Sequence, residues 1–279
     1  MQSIDTITAA GVQIGRGAPP VLLAGPCVVE NRGLLLSIAE SLYRIAENTG
    51  FRLFFKASFD KANRSFSRAF RGPGMDAGLQ LLDEVKNRFQ LPIVTDIHLP
   101  EQAVPVSQVV DIIQIPAFLC RQTDLLCAAA AAGRAVNIKK GQFMAPSDMR
   151  FAVEKVVDAG CSDVLLTERG TSFGYNDLVV DFRGIRHMQA VCPVVFDATH
   201  SVQQPGAEGG ASGGVRECIP DLTLAAAAAG VDALFMEVHP DPSAALSDAA
   251  SIFPLGKMEN LLKRFLAVRE AAAEPMDVR

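Results

Sequence analysis

Short aliphatic runs recur along the chain, each followed by a polar or Gly/Pro-rich turn. They are Val21–Ala24, Leu53–Lys56, Ile93–Asp96, Ile112–Ile115, Ala135–Lys139, Val164–Thr167, Val194–Asp197 and Ala233–Glu237, eight in all. Most are continuous and do not alternate with polar residues, the pattern of parallel strands buried on both faces. Helical periodicity fills the intervals: Leu35, Ile38, Leu42 and Ile45 after the first run, then Leu79, Leu82, Val85 and Phe89 after the second. Ser147 is the expected N-cap of a helix carrying Phe151 and Val156 and ended by Gly160. The runs Ala128–Ala132 and Ala225–Ala229 each precede a glycine, a helix-stop signature that also permits close helix–sheet packing.

Eight strand–helix units in about 250 residues is the arithmetic of a (β/α)8 barrel, or TIM barrel, in the α/β class. A doubly wound open sheet is the alternative, and normally shows fewer strands over this length. Weak strand-like runs on either side of Ala9–Ala10–Gly11 predict an N-terminal hairpin closing the barrel bottom. No linker or composition shift divides the sequence, so one domain over residues 1–279 is expected. Barrel catalysis takes place at the C-terminal ends of strands. Those ends here are Lys56, Asp96, Gln114, Lys139, Arg169, Asp197 and Glu237, with Cys27 just beyond the first run. Any one could be a solvated strand end; so many on one rim favour an enzyme.

Composition narrows the class. With 49% hydrophobic residues, 20% charged residues and a net charge of −5, the chain is too apolar and too weakly charged for disorder. The acidic balance argues against a dedicated nucleic-acid partner. The longest uncharged stretch, Gly17–Val29, is proline-interrupted and shorter than the roughly 18 apolar residues of a membrane span. The N-terminus lacks the features of a secretory signal. Six scattered cysteines without CxxC pairs are expected as reduced thiols. A cytoplasmic location follows as an expectation.

The densest chemical signal is Arg52–Arg71, where six basic residues stand against Asp60 alone. It could be a solvated basic loop. Interleaved Ser58, Asn63, Ser65 and Ser67 instead supply the donors that phosphate oxygens and sugar hydroxyls need. Lys139, Lys140, Arg169 and Arg121 would enlarge a pocket for a small, multiply anionic substrate. A second signal is a dispersed metal set: Cys27, His200, Glu237 and Asp248. A lone cysteine is more often a small buried hydrophobe, and Glu237 and His239, on one strand face, could be ligands or structural hydrogen-bond partners. Mixed S/N/O donors suit Fe, Zn or Mn better than Mg. The third signal is Pro205–Gly214, with five glycines between Gly206 and Gly214, readable as a lid or as a plain flexible connection.

At these residues the chain resembles the 3-deoxy-D-manno-octulosonate 8-phosphate synthase family. The matching motifs are LLAGPC (Leu22–Cys27), FKASFDKANRS (Phe55–Ser65), RGPG (Arg71–Gly74), TDIH (Thr95–His98) and QIPAFLCRQTD (Gln114–Asp124). NIKKGQF (Asn137–Phe143), ERGTSFGYNDLVVD (Glu168–Asp181), FDATHSVQ (Phe196–Gln203), SGGVRE (Ser212–Glu217) and EVHPDP (Glu237–Pro242) follow in order over nearly the whole chain. The related synthase of a seven-carbon sugar acid carries KPRTS-like residues where this chain has Lys61–Ser65.

The resemblance implies a homotetrameric barrel enzyme, a transferase of lipopolysaccharide synthesis, condensing phosphoenolpyruvate with arabinose 5-phosphate and water. Water adds at C2 of phosphoenolpyruvate, C3 attacks the sugar aldehyde, and phosphate leaves by C–O cleavage. It implies that Lys61, Lys139 and Arg169 bind phosphoenolpyruvate, with Gln114 and Gln142 nearby. Asn63 and Asp96 would contact the sugar, and Arg64 and Ser65 its phosphate. Arg121 would reach across from a neighbouring subunit, with Ser58, Phe118 and Gln203 among the further substrate contacts. Lys56, Lys61, Asp96 and His200 are the expected catalytic groups, Lys56 as a proton shuttle. Cys27 and Gly141 stand where a metal-independent branch has Asn and tends to have Pro. They place the chain in the metal-dependent branch, with one divalent ion (Fe, Zn, Mn or Co) held by Cys27, His200, Glu237 and Asp248. His98 and His239 would then be supporting residues. Small molecules are the expected partners, with no nucleic acid and no membrane. A sister synthase using another aldehyde, and a non-catalytic phosphosugar-binding protein, are the rival readings.

Overall fold

The structure is a computed structural model that describes residues 3–208 and 211–273. The chain opens with a hairpin of β1 (Thr6–Ala9) and β2 (Val12–Gly15), then runs β3 (Val21–Gly25), α1 (Arg32–Thr49), β4 (Arg52–Lys56), α2 (Met75–Phe89), β5 (Ile93–Asp96) and α3 (Ala103–Ser107). It continues through β6 (Ile112–Ile115), α4 (Thr123–Ala131), β7 (Ala135–Lys139), α5 (Arg150–Asp158) and β8 (Val164–Glu168). A rim hairpin of β9 (Thr171–Phe173) and β10 (Asp177–Val179) precedes α6 (Arg183–Gln189) and β11 (Val194–Asp197). A second rim hairpin, β12 (Gln203–Glu208) and β13 (Ala211–Gly214), leads to α7 (Ile219–Ala228), β14 (Ala233–His239), β15 (Phe253–Pro254) and α8 (Met258–Ala272).

Strands β3, β4, β5, β6, β7, β8, β11 and β14 pair in parallel in that order, and β14 pairs back onto β3. The sheet therefore closes into an eight-stranded barrel with helices outside it, as the spacing of aliphatic runs predicts. Alternation assigns each strand residue to a face. Leu22, Phe55, Ile113, Ile138, Leu166, Phe196 and Leu234 pack outward against the helices. Leu23, Phe54, Val94, Ile112, Ala135, Leu165, Val195 and Phe235 form a separate inner cluster. The hairpin adds Ile7, Ala9 and Ile14 to that inner cluster, so it closes the N-terminal end of the barrel as expected. Its two-residue turn has positive φ at both Ala10 and Gly11, which matches the twist of a tight hairpin.

Helix ends follow local chemistry. Asn31 caps α1 by accepting from the Leu34 N–H at 2.9 Å, and Gly50 ends the helix at φ 78°. The glycines after both alanine runs, Gly133 and Gly230, also take positive φ. Ser147 is not the N-cap of α5: it lies within a 3-10 turn, Pro146–Met149, from which α5 continues at Arg150. With Pro146 as its first residue and Ala145 as its N-cap, that turn moves the point of entry two residues earlier than the serine suggests.

The glycine-rich segment expected as an open loop pairs as β12–β13, with Gln203 opposite Gly214 and Gln204 opposite Gly213. Its lid reading rests partly on Gly209 and Gly210, which lie outside the described residues. Among the described residues, no helix is long and apolar enough to cross a membrane.

Strand spacing makes one glycine obligatory. A Cβ on Gly25 would stand 1.9 Å from the Lys56 carbonyl oxygen, in the backbone of the neighbouring strand. Gly25→Ala is expected to destabilise the fold by about 3 kcal/mol or more, because the strands must part to admit a methyl group. Denaturant unfolding checks this, and an unchanged midpoint would contradict the strand spacing.

Candidate active site

The same alternation that fills the barrel floor with apolar side chains aims the next layer at its C-terminal mouth. Two residues beyond Phe54 comes Lys56; beyond Val94, Asp96; beyond Ile112, Gln114; beyond Val195, Asp197; beyond Phe235, Glu237. On β7 and its end the series runs Ala135, Asn137, Lys139, and on β8 Leu165, Thr167, Arg169. All of these polar residues are buried. Phe235 separates floor from charged layer, its ring centroid lying 3.8 Å from Lys139 Nζ and 5.3 Å from Lys56 Nζ.

Charges in this layer are paired in detail. Lys56 Nζ donates to Glu237 Oε1 at 2.9 Å and to Ser58 Oγ at 3.1 Å. Ser58 Oγ also accepts from Lys61 Nζ at 3.0 Å and donates to Asp96 Oδ1 at 2.5 Å. Asp96 Oδ2 meets His98 Nε2 at 3.1 Å. Lys139 Nζ donates to Asp197 Oδ2 at 2.6 Å, and the His200 N–H to Asp197 Oδ1 at 2.9 Å. His200 Nδ1 approaches Asp197 Oδ2 to 2.8 Å, but not in hydrogen-bonding alignment. Burial alone would raise the pKa of Asp197; His200 and Lys139 outweigh it and hold the carboxyl well below the usual range. Burial lowers the pKa of Lys139, with Asp197 opposing. Glu237 is likewise held down by Lys61 and Lys56 against the effect of burial.

Several buried polar atoms have no partner: Arg169 NH1, Gln114 Oε1, Gln142 Oε1 and Asn137 Nδ2. An unsatisfied buried donor or acceptor costs about 1–3 kcal/mol, so such a concentration at one mouth marks a binding surface. Arg169 NH2 donates to Gln203 Oε1 at 2.8 Å, which leaves its other nitrogen free for an anion.

Beside this layer stands the donor set read from the sequence. Cys27 Sγ and oxygens of Glu237 and Asp248 all lie within 4.8 Å of one another. His200 Nε2 lies 3.7 Å from Glu237 Oε2 and 3.9 Å from Asp248 Oδ2. Ligand distances of about 2.0–2.3 Å require separations of this size around a shared ion, so Cys27, Glu237 and Asp248 fit one divalent cation, with His200 within reach of the two carboxylates. Burial, then the charges of Glu237 and Asp248, raise the Cys27 thiol well above its ordinary pKa. A cation in their midst would reverse that and favour thiolate. Cys27 Sγ lies 3.0 Å from Ser247 Oγ and 3.3 Å from Asp248 Oδ2, so its one S–H proton is shared between the two oxygens. His239 accepts from the Asp241 N–H at Nδ1, and its Nε2 lies 4.0 Å from Glu30 Oε1.

Arg64 reaches the edge of the set, 3.6 Å from Asp248 Oδ1, while donating to the Phe70 and Leu246 carbonyls. Asn63, Ser65, Phe118 and Arg121 are exposed, and among the described residues no side-chain hydrogen bond joins them to the buried layer. Asp197 stands among the strand ends read from the sequence but has no assigned role there, and Ser247 is a site residue that the sequence reading does not contain. Ser247 has no comparable signal, since it meets Cys27 only through the long connection after β14.

A family model described as the DAHP synthetase I family matches residues 3–274 of this chain. A 2-dehydro-3-deoxyphosphooctonate aldolase from Synechococcus sp. is 54% identical over 264 residues, covering 94% of this chain and 93% of that protein. The protein of the same name from Syntrophotalea carbinolica is 54% identical over 265 residues, covering 95% and 96%. That from Nitratidesulfovibrio vulgaris is 58% identical over 248 residues, covering 88% and 91%.

Proposed function

The chain belongs to the DAHP synthetase I family, and on that premise we propose that it condenses phosphoenolpyruvate with D-arabinose 5-phosphate and water, releasing 3-deoxy-D-manno-octulosonate 8-phosphate and phosphate. The family description alone leaves the aldehyde open. The relatives choose it, because proteins 52–58% identical over most of their length carry the octonate name. One structural observation carries the reading: buried Lys56, Lys139 and Arg169, with Lys61 beside them, converge on one barrel mouth against the Cys27 cluster.

Phosphoenolpyruvate brings a carboxylate and a phosphate. Arg169 NH1 is a free buried donor for one of these anions, and Lys139 and Lys61 supply charge on either side. Gln114 and Gln142 hold unpartnered carbonyl oxygens at the same mouth, acceptors for the water that must add at C2. Lys56 holds a proton between Glu237 and Ser58, a position from which it can pass one toward the reacting carbons. Asp96, fixed by Ser58 and His98, is the acceptor for a sugar hydroxyl. Asn63, Arg64 and Ser65, on the segment after Lys61, take the sugar and its phosphate, with Phe118 and Arg121 at the rim. Cys27, His200, Glu237 and Asp248 would hold one divalent ion, Fe, Zn, Mn or Co, supplying Lewis-acid polarisation of a bound oxygen. The enzyme acts as a homotetramer of one-domain subunits, each the 1–279 barrel, in the cytoplasm. The support is resemblance in the KANRS and Arg121 motifs, and an exposed Phe118 and Arg121 that a neighbouring subunit could engage.

The deciding experiment is an aldehyde panel with phosphate release as readout. Arabinose 5-phosphate is expected to exceed erythrose 4-phosphate by at least about tenfold in kcat/KM, which needs only about 1.4 kcal/mol of differential transition-state binding. Equal rates, or preference for the four-carbon sugar, would assign the chain to the sister activity; no turnover with any aldehyde would favour a binding protein.

A further inference from the structure

A second pair of charges stands directly behind the site. Alternation that turns Lys139 and Arg169 into the barrel turns their chain neighbours, Lys140 and Glu168, outward toward the helices. Both are fully buried there, with Lys140 Nζ 3.3 Å from Glu168 Oε1. Glu168 Oε1 accepts from two successive backbone groups, the N–H of Arg169 at 2.9 Å and of Gly170 at 2.7 Å. Lys140 Nζ donates to the Gly170 carbonyl at 3.1 Å and to Thr171 Oγ1 at 3.0 Å. Among the described residues, every side-chain hydrogen bond that the pair makes outside itself falls on the three residues Arg169–Thr171, where β8 ends and the chain turns at Gly170, φ 92°. The Lys140 N–H also bonds the Thr167 carbonyl at 2.8 Å, which joins the two strand ends.

The surroundings argue against a merely stabilising role. Phe143, Met144, Pro146 and Val179 line a cavity of about 360 Å³ against Glu168, with Thr171, Ser172 and Asp181 on its polar side. The pair itself is buried, and desolvating two charges is costly. Buried ion pairs of this sort can often be replaced by apolar residues without loss of stability. What an apolar replacement cannot do is hold two N–H groups and a carbonyl of a particular turn. We propose that Lys140 and Glu168 are positioning residues, which fix the turn after β8 so that the Arg169 guanidinium is presented to phosphoenolpyruvate. This rests on Arg169 as an anion-binding residue in the reading above. The pair touches neither substrate nor the Cys27 cluster, and acts only through the backbone of its neighbour.

The test measures steady-state kinetics and thermal unfolding on the whole enzyme. In the double variant Lys140→Met/Glu168→Leu, the KM for phosphoenolpyruvate is expected to rise at least about tenfold, with the KM for arabinose 5-phosphate within about twofold of the parent. Glu168→Gln keeps an oxygen that accepts from both N–H groups, and its phosphoenolpyruvate KM is expected within about threefold of the parent. Thr171→Val removes a single Lys140 contact at an exposed position; it serves should the double variant not fold, with a rise of about threefold expected. Arg169→Ala is run in parallel. If it leaves the phosphoenolpyruvate KM alone, the reading of Arg169 has failed. If it raises that KM while the double variant, or Thr171→Val in its place, binds phosphoenolpyruvate like the parent, the positioning role is overturned. Equal impairment in Glu168→Gln and the double variant overturns the backbone route.

Discussion

Arg169→Ala is expected to raise the KM for phosphoenolpyruvate and lower kcat, with a combined loss of about a hundredfold or more in kcat/KM. Two charge-assisted hydrogen bonds at about 1.5–3 kcal/mol each supply that loss, at about 1.4 kcal/mol per factor of ten. The fall in kcat has a separate origin. Charge grows on the departing phosphate as its C–O bond breaks, and a fixed guanidinium in a dry site stabilises it most at that stage. Stability should move the other way or not at all. Arg169 is 4% exposed, its guanidinium makes one side-chain bond, to Gln203, and NH1 has no partner. Burial also lowers its pKa, the mark of a charge held at some cost. Alanine removes that cost, so the melting temperature should be unchanged or higher, the trade expected where function and stability compete. Circular dichroism and thermal melting read the second arm. A variant that unfolds, yet turns over normally while folded, would make Arg169 a structural residue.

The barrel was legible because its two periodicities are local. A strand buried on both faces needs an unbroken aliphatic run, and each of the eight runs is a strand to within two residues of the reading. Polar strand ends were legible for the same reason: Lys56, Asp96, Asp197 and Glu237 each follow an inward apolar residue by two positions. Contacts made by long connections carry no such local signal. Asp248 is named in the metal set but Ser247 is not, and both come to Cys27 across more than two hundred residues of sequence, Asp248 from a backbone at φ 51° that no periodicity announces. The rim hairpins β9–β10 and β12–β13 escaped because glycines and exposed polar residues carry no alternation; their pairing depends on the rim they cover. Lys140 read as one more cation for the pocket, whereas the pleat sends it to the opposite face from Lys139. The motif matched both lysines, but only the register separates their roles.

That distinction between packing and ligation is sharpest at Cys27. The residue is 2% exposed, as a small core hydrophobe would be, yet its thiol meets Ser247 and Asp248. If it is a thiolate ligand, Cys27→Ala is expected to remove bound metal in elemental analysis of the purified protein and to abolish most activity, with the fold intact. If it merely packs, the same change costs about 1 kcal/mol of stability and leaves metal and rate unaltered. Metal content is the primary readout, since a loss of activity alone would not separate the two. Cys27→Asn is the finer probe. An amide at this position can still donate to Asp248 and Ser247, but it is a weak ligand for a divalent ion beside two carboxylates and an imidazole. The variant is therefore expected to lose its metal and keep a reduced activity that chelator no longer touches. The reduction has a structural reason at Gly141, where the metal-independent branch tends to have proline. A Cβ there would meet Phe143 Cζ at 2.8 Å and the Ala117 oxygen and Cys120 Sγ at 3.1 Å. The loop after β7 is thus packed around a glycine, and Cys27→Asn alone leaves that packing, with Lys139 and Gln142 beside it, unchanged. Full activity of the parent protein after verified removal of all metal would refute the ligand reading of Cys27.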